Sequence, residues 1–104
     1  MKLAIDFDST LVKRKGIPSN GNPWLEKPLV GARESINLFL EKGYDLYICT
    51  NREHYEWPKI KEWLIKNKFP EMRITNKKEL GTTVYIDDRA LRFTSWQDIR
   101  KYFT

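Results

Sequence analysis

The sequence predicts an α/β domain in which a parallel sheet carries helices on both faces, a three-layer, doubly wound, Rossmann-like arrangement. Short apolar runs typical of strands alternate with segments that have the periodicity of amphipathic helices. The chain has 104 residues, which suits one domain spanning residues 1–104. With 40% hydrophobic and 32% charged residues, its composition is typical of a globular protein and argues against disorder.

The first half of the chain contains two predicted strands and the helix between them. Residues 2–5 form a short apolar run typical of a buried strand, and residues 44–49 form a second one. Between them, residues 11–28 are rich in Gly, Pro and Asn, which indicates a long loop. The segment 31–42 predicts a helix, and Gly43 stands where a C-terminal cap is expected. The apolar stripe of this helix comprises Ala32, Ile36, Phe39 and Leu40.

The second half repeats the alternation. Residues 53–68 predict a helix, with Pro58 in its first turn, where a missing N–H does little harm. Two further strands are predicted at residues 72–75 and 84–86. Ser95 and Asp98 resemble a capping box that opens a final helix. The side chains expected to be buried by the two helices are Ile60, Trp63 and Leu64 in the first and Trp96, Ile99 and Phe103 in the second.

Polar side chains follow three of the predicted strands, at the point where each strand ends. They are Asp6 and Asp8, then Thr50 and Asn51, and then Asp87 and Asp88. Because ligands of open α/β sheets bind at the carboxyl ends of the strands, we expect these three ends to form one site. Carboxylates placed close together repel each other, and a divalent cation with oxygen ligands offsets that repulsion. The sequence therefore predicts a cation site at this edge of the sheet.

Four short motifs resemble those of the haloacid dehalogenase-like superfamily. Asp6-Phe7-Asp8-Ser9-Thr10 is similar to its first motif, and Thr50 after a strand is similar to its second. Lys77 and Lys78 are candidates for the lysine of the third motif, with Lys78 favoured because it lies nearer the next strand. Asp87-Asp88 resembles the paired-aspartate form of the fourth. The resemblance spans nearly the whole chain and implies a phosphatase.

The resemblance also implies a role for each motif residue. Asp6 is the expected nucleophile that forms an aspartyl-phosphate, and Asp8 the expected general acid and base. The implied Mg²⁺ ligands are Asp6, the backbone carbonyl of Asp8, Asp87 and Asp88. The implied phosphate-binding residues are Thr50, Asn51 and Lys78, and the last of these also neutralises Asp6. The resemblance thus predicts a phosphorylated substrate and a magnesium cofactor.

Two features distinguish this chain within the resemblance. Ser9 occupies a turn position where the family usually has glycine. The segments 11–43 and 51–76 have room for little beyond the elements of the core, which implies a capless enzyme with an open site. Such a site suits a large substrate or small ones handled with low selectivity. The loop 13–28, which carries Lys13, Arg14, Lys15 and Trp24, is expected to form a partial lid or to contact the substrate.

The net charge of +5 favours an anionic partner, a phosphate ester or nucleic acid. Cys49 is the only cysteine, so no intramolecular disulfide can form, and no run has transmembrane length. We therefore expect a cytoplasmic protein without a membrane partner. Two alternatives stay open: a phosphatase that acts on nucleic-acid 3′-phosphate ends, and a non-catalytic module that binds phosphate or nucleic acid on the same fold.

Three polar residues near the second and fourth motifs have more than one interpretation. Thr50 is as compatible with a helix N-cap as with phosphate binding when it is considered alone. Arg52 and Arg89 either face the phosphate or brace the loops through salt bridges. His54, the only histidine, is expected to lie on the surface.

Overall fold

The described part of the chain forms a sheet of four parallel strands in the order β3-β2-β1-β4. We describe residues 1–12 and 23–104 of a computed structural model of the chain. The strands are β1 (Lys2–Ile5), β2 (Asp45–Cys49), β3 (Arg73–Thr75) and β4 (Val84–Ile86). The predicted parallel α/β architecture is confirmed, and the four strands lie close to their predicted positions.

Two helices connect the first three strands. These are α1 (Ala32–Glu41) and α2 (Trp57–Lys66), and each is preceded by a 3₁₀ turn, at Pro23–Leu25 and His54–Glu56 respectively. A shorter helix, α3 (Trp96–Arg100), follows β4. No helix in the described parts of the chain has the length and apolar character needed to cross a membrane.

Strands β1 and β2 contribute alternate side chains to a core that both long helices cover. Leu3 and Ile5 point to the same face as Leu46 and Ile48 because paired residues of parallel strands share a face. This face packs against helix residues in one buried cluster, in which the helices contribute Ile36, Ile60, Trp63 and Leu64. The apolar stripes predicted for the two helices therefore point into the core, except for Leu40, which is 37% exposed and for which the prediction was wrong.

The opposite face of the sheet is covered differently near its centre. The Tyr47 ring is fully buried there, and its hydroxyl lies 2.7 Å from Thr82 Oγ1 and accepts from the Glu79 backbone N–H at 3.0 Å. Both partners belong to the irregular segment between β3 and β4. The three-layer prediction expects helices on both faces of the sheet, but near its centre this face is covered by an irregular segment. The connection between β3 and β4 is too short to contain a helix.

Helix α3 begins as predicted but does not bury the predicted side chains. The Ser95 hydroxyl accepts from the Asp98 backbone N–H at 3.2 Å, which confirms the N-cap. Trp96 and Phe103, however, are 69% and 76% exposed, and Ile99 is half-buried. The prediction of their burial was wrong. Apolar spacing determines which side chains share a face, whereas burial also requires another element that covers that face.

Candidate active site

Asp6 leaves β1 between the ends of two neighbouring strands. Ile5 is in register with Ile48 of β2 and Ile86 of β4, and the Asp6 backbone N–H donates to the Ile86 carbonyl at 3.0 Å. On the other side of β2, the Thr50 N–H donates to the Thr75 carbonyl at 2.9 Å. The polar ends of β1, β2 and β4 therefore meet at one edge of the sheet, as parallel pairing requires.

Three carboxylates meet at this edge. One oxygen each from Asp6, Asp87 and Asp88 lies within 4.8 Å of the other two. Asp6 is half-buried, whereas Asp87 and Asp88 are exposed. The Asp87 side chain is held in a turn because its Oδ1 accepts from the Arg89 backbone N–H at 2.6 Å. The two motifs at opposite ends of the sequence thus form one acidic cluster.

The surroundings of Asp6 disfavour its charged form. Burial is the largest cause, and the neighbouring Asp87 and Asp88 add to it, so that the pKa of Asp6 rises from 3.8 to about 6. A backbone hydrogen bond opposes this shift without cancelling it. A divalent cation among the three carboxylates would offset both the repulsion and the desolvation. The donor set, oxygen atoms of carboxylates, is the one that Mg²⁺ and Ca²⁺ prefer.

Asp8 faces a different partner from Asp6. Its two carboxylate oxygens accept from Arg52 Nε and Nη2, each at 2.9 Å, in a bidentate salt bridge. Its carboxylate is not part of the acidic cluster formed by Asp6, Asp87 and Asp88. The implied contribution of Asp8 to the metal site, through its backbone carbonyl, stays a prediction.

Arg52 is held in turn by two further contacts. Its Nη1 donates to Glu56 Oε1 at 2.8 Å, and its guanidinium carbon lies 4.8 Å from the centre of the Trp24 ring. Of the two interpretations of Arg52, the structure supports the second, in which the arginine braces the loops through salt bridges. Its main partner is Asp8 of the first motif. Sequence reasoning did not identify Asp8 as its partner because the pair is separated by 44 positions.

Trp24 packs beneath the first motif. Its ring stacks on Phe7 with centroids 6.1 Å apart, and Phe7 in turn meets the edge of Trp63 in the core. The Trp24 side chain is half-buried rather than fully presented to solvent. The predicted role of Lys13, Arg14 and Lys15 as lid or substrate contacts lies outside the described residues.

A cavity of about 280 Å³ opens beside the acidic cluster, on the face of the sheet that carries Ala4 and Tyr85. The polar and ionisable residues of its lining are Asp6, Cys49, Asn51, Lys78 and Asp87. The Lys78 ammonium lies 5.2 Å from the centre of the Tyr85 ring, which forms part of the cavity wall. Predicted nucleophile, phosphate ligand and lysine thus share one cavity.

The two candidate lysines are separated by the structure. Lys78 lines the cavity, whereas Lys77 does not belong to its lining. The Lys77 backbone instead makes local contacts, because its N–H donates to Thr75 Oγ1 at 3.1 Å and its carbonyl accepts from the Cys49 thiol at 3.8 Å. The preference for Lys78 agrees with this placement.

Thr50 is buried, with 3% of its surface exposed, and does not cap the following turn. Its Oγ1 accepts from the Arg52 backbone N–H at 3.1 Å, and Glu53 caps the 3₁₀ turn that begins at His54. Thr50 is also absent from the lining of the cavity, which Asn51 enters from the same strand end. Thr50 therefore orders the loop that carries Asn51 and Arg52.

Comparisons with known proteins support the fold. No family model matches the chain, and no curated protein matches it either. The chain is similar to the structure of a conserved protein from Bacteroides thetaiotaomicron, with 23% identity, a TM-score of 0.67 and coverage of 99% of this chain and 88% of that one. It is also similar to a crystal structure from Vibrio cholerae, with 26% identity, a TM-score of 0.58 and coverage of 98% and 95%. The likeness extends over nearly the full length in both cases, so the Rossmann-like α/β fold is shared.

Proposed function

We propose that this chain is a Mg²⁺-dependent phosphomonoester hydrolase of the haloacid dehalogenase-like type, with Asp6 as its nucleophile. One observation carries the proposal: Asp6 is a member of a three-carboxylate cluster and also lines a cavity that contains Lys78. Clusters of acidic side chains are common on protein surfaces and do not by themselves indicate catalysis. A carboxylate that belongs to a cation site and lines the same cavity as a lysine suits attack on an anionic phosphate.

The residues present fit a magnesium ion. Asp6, Asp87 and Asp88 each bring one oxygen into reach of a common point, and the pKa of Asp6 is raised first by burial and then by the two neighbouring carboxylates, both of which a cation would offset. When bound, Mg²⁺ supplies positive charge that allows an anionic nucleophile to approach an anionic phosphate. The acidic cluster is therefore the metal site of the proposed enzyme.

The reaction proceeds in two displacements at phosphorus. An Asp6 oxygen forms a bond to phosphorus while the bond from phosphorus to the ester oxygen breaks, and Asp8 donates a proton to the departing alcohol. Water then attacks the phosphorus of the aspartyl-phosphate, gives its proton to Asp8, and releases inorganic phosphate with Asp6 restored. The bidentate contact with Arg52 holds Asp8 in place as an ionised acceptor, which is the form that takes the proton from water in the second displacement.

Two residues that line the cavity would bind the transferred phosphate. The Lys78 ammonium would supply positive charge in the cavity that Asp6 also lines, and the Asn51 amide would supply a hydrogen-bond donor at the end of β2. Thr50 does not line the cavity, and it contributes by ordering the loop that carries Asn51, through the hydrogen bond that its Oγ1 accepts from the Arg52 backbone N–H. The single cysteine, Cys49, is compatible with the cytoplasmic setting that we propose for the enzyme.

Hydrolysis of an aryl phosphate tests the proposal. The native chain should release inorganic phosphate in Mg²⁺ and lose this activity in excess chelator, while Asp6→Asn should lose it by about a thousandfold or more. Glu71→Gln is the matched control, because this exposed carboxylate on the loop before β3 lies outside the cluster. Full activity of Asp6→Asn would contradict the assignment of the nucleophile. A folded native chain that hydrolyses no phosphate ester would favour the non-catalytic phosphate-binding module.

A further inference from the structure

The C-terminal part of the chain, residues 89–104, exposes large aromatic side chains that the proposed chemistry does not use. Tyr102 and Phe103 follow α3 and are 69% and 76% exposed. Phe93 and Trp96 form an edge-to-face pair with ring centroids 5.5 Å apart, and more than half of each side chain is in contact with solvent. We call residues 89–104 the aromatic–basic segment. Such a concentration of exposed rings is typical of a binding surface.

The same segment carries a marked excess of positive charge. Its basic residues are Arg89, Arg92, Arg100 and Lys101, and all of them are exposed. The one acidic residue is Asp98, whose oxygens already accept from Thr94 at 2.6 Å and from Lys101 at 3.3 Å. Rings interleaved with cations complement a polyanion that also presents flat apolar surfaces. Single-stranded nucleic acid has both properties.

The segment begins at the cavity described above. Ala90 lines the cavity together with Asp6 and Asp87, and Asp87 accepts a hydrogen bond from the Arg89 backbone. The distance along the chain from Ala90 to Phe93 spans at most about 10 Å even when fully extended. A strand of nucleic acid stacked on Phe93 and Trp96 would therefore have its end within reach of the cavity.

Two other occupants fit the segment less well. A second copy of the chain, meeting this surface across a two-fold axis, would bring its basic residues face to face, in a protein whose net charge is already +5. A membrane surface would suit a long amphipathic helix, whereas α3 has five residues. The interleaved rings and cations favour the nucleic acid.

We propose that the aromatic–basic segment binds single-stranded nucleic acid and directs its phosphorylated end to the cavity that contains Asp6. The delivery of the end rests on the proposed phosphatase function, whereas the binding itself requires no catalysis. Bases stack on the Phe93 and Trp96 rings, and the arginines contact backbone phosphates.

The binding is measured by fluorescence anisotropy with labelled oligothymidylate of about ten nucleotides carrying a 3′-phosphate. The Asp6→Asn variant is used so that the end stays intact. Binding should be present at low salt, and Phe93→Ala or Trp96→Ala should weaken it by about fivefold or more. Tyr55→Ala is the matched control, because Tyr55 is 78% exposed and lies outside the segment. Thermal unfolding of each variant establishes that it is folded.

Salt dependence tests the cationic part. Arg92→Gln combined with Arg100→Gln should reduce the slope of log Kd against log salt by about 1.4, which is the value for two phosphates on a single strand. Lys61→Gln together with Lys59→Gln is the control, because these exposed residues belong to α2. An unchanged slope in the arginine variant would contradict the contact of these residues with phosphate.

Failure of nucleic-acid binding and failure of the proposed phosphatase function give different results, because binding and hydrolysis are measured separately. Absence of oligonucleotide binding at low salt would overturn the inference even if aryl phosphate is hydrolysed. Binding that depends on Trp96 would sustain the assignment of the segment as a nucleic-acid surface even if no ester is hydrolysed, whereas delivery of the end would then be overturned. Binding of phosphatidylserine vesicles without the oligonucleotide would assign the segment to membranes instead. A dimer in sedimentation equilibrium that Trp96→Ala dissociates, again without oligonucleotide binding, would assign it to self-association.

Discussion

Arg52 holds both carboxylate oxygens of Asp8, through Nε and Nη2 at 2.9 Å each. The pair joins the loop after β1 to the loop after β2. Glu56 and the ring of Trp24 hold the guanidinium on its other sides. Because three neighbours restrict Arg52, the direction of the Asp8 carboxylate is set before any substrate arrives.

Arg52→Gln is expected to lower kcat by about tenfold or more while changing KM little, because Arg52 positions Asp8 rather than the substrate. The loss should be larger for an alkyl phosphate, whose alcohol needs a proton, than for a nitrophenyl phosphate, whose leaving group does not. Steady-state kinetics on both substrates measure the difference. Arg33→Gln serves as the control, since Arg33 donates to the Asn67 carbonyl away from the site. A rise in KM alone would assign Arg52 to substrate binding.

The contribution of Asp6 to the stability of the metal-free protein should fall as pH rises through the pKa of this group. That pKa is about 6 in the folded chain and about 3.8 when unperturbed. A raised carboxyl pKa means that the contribution is fully present below about pH 4 and is lost above about pH 6. The shift corresponds to about 3 kcal/mol, and solvent screening of this half-buried group reduces it to about 1 kcal/mol. Urea unfolding at pH 4.5 and pH 7.5, in chelator, measures this change.

Asp6→Asn is the control for this pH dependence. The amide removes the titrating group, so the variant should be more stable than the native chain at pH 7.5 in chelator by about 1 kcal/mol. Mg²⁺ should raise the stability of the native chain more than that of the variant, because binding to the folded state stabilises it. Equal responses of the two proteins to Mg²⁺ would argue against Asp6 as a ligand.

Lys78→Ala should reduce activity by about a hundredfold or more, because it removes the ammonium that lines the cavity with Asp6. Lys77→Ala is a closely matched control, because it removes the same charge one position earlier, from a residue that does not line the cavity and whose backbone contacts the substitution leaves in place. Phosphate release under saturating Mg²⁺ compares the two variants. Equal losses in both would mean that general positive charge, and not the position of Lys78, supports the reaction.

Lys68→Gly should stabilise the protein by about 1 kcal/mol. Lys68 has φ 61°, in the left-handed region that glycine adopts without steric cost. It occupies the turn that ends α2, where its N–H donates to the Ile65 carbonyl and that of Phe69 to Leu64. Lys66→Gly, within the helix, should instead destabilise it by about 1 kcal/mol. Thermal unfolding of both variants tests the contrast, and a loss of stability in Lys68→Gly would contradict it.

The same backbone argument applies to the first motif. Ser9, where the resembling family usually has glycine, has φ 62°. The resemblance identified the position as one that usually holds glycine, and the structure places the serine in a conformation that favours glycine. Its N–H donates to the Val12 carbonyl at 3.1 Å, which closes the turn after Asp8.

The sequence by itself determined the order of strands and helices, the caps at Gly43 and Ser95, and the strand ends that carry Asp6, Thr50 and Asp87. Each of these depends on periodicity or on a short local pattern, and parallel pairing then places the carboxyl ends at one edge. The structure agrees at each of these positions, with Gly43 at φ 81° and Ser95 as the N-cap of α3.

Only the tertiary structure decided which side chains meet across elements. It paired Asp8 with Arg52, brought Lys78 to the cavity that Asp6 lines, and left Trp96 in solvent. Side-chain spacing along an element indicates a direction, but a contact between elements depends on their register and on the path of the connecting turns. The exposure of Trp96 has the same origin, because burial requires a second surface that no periodicity within α3 can specify.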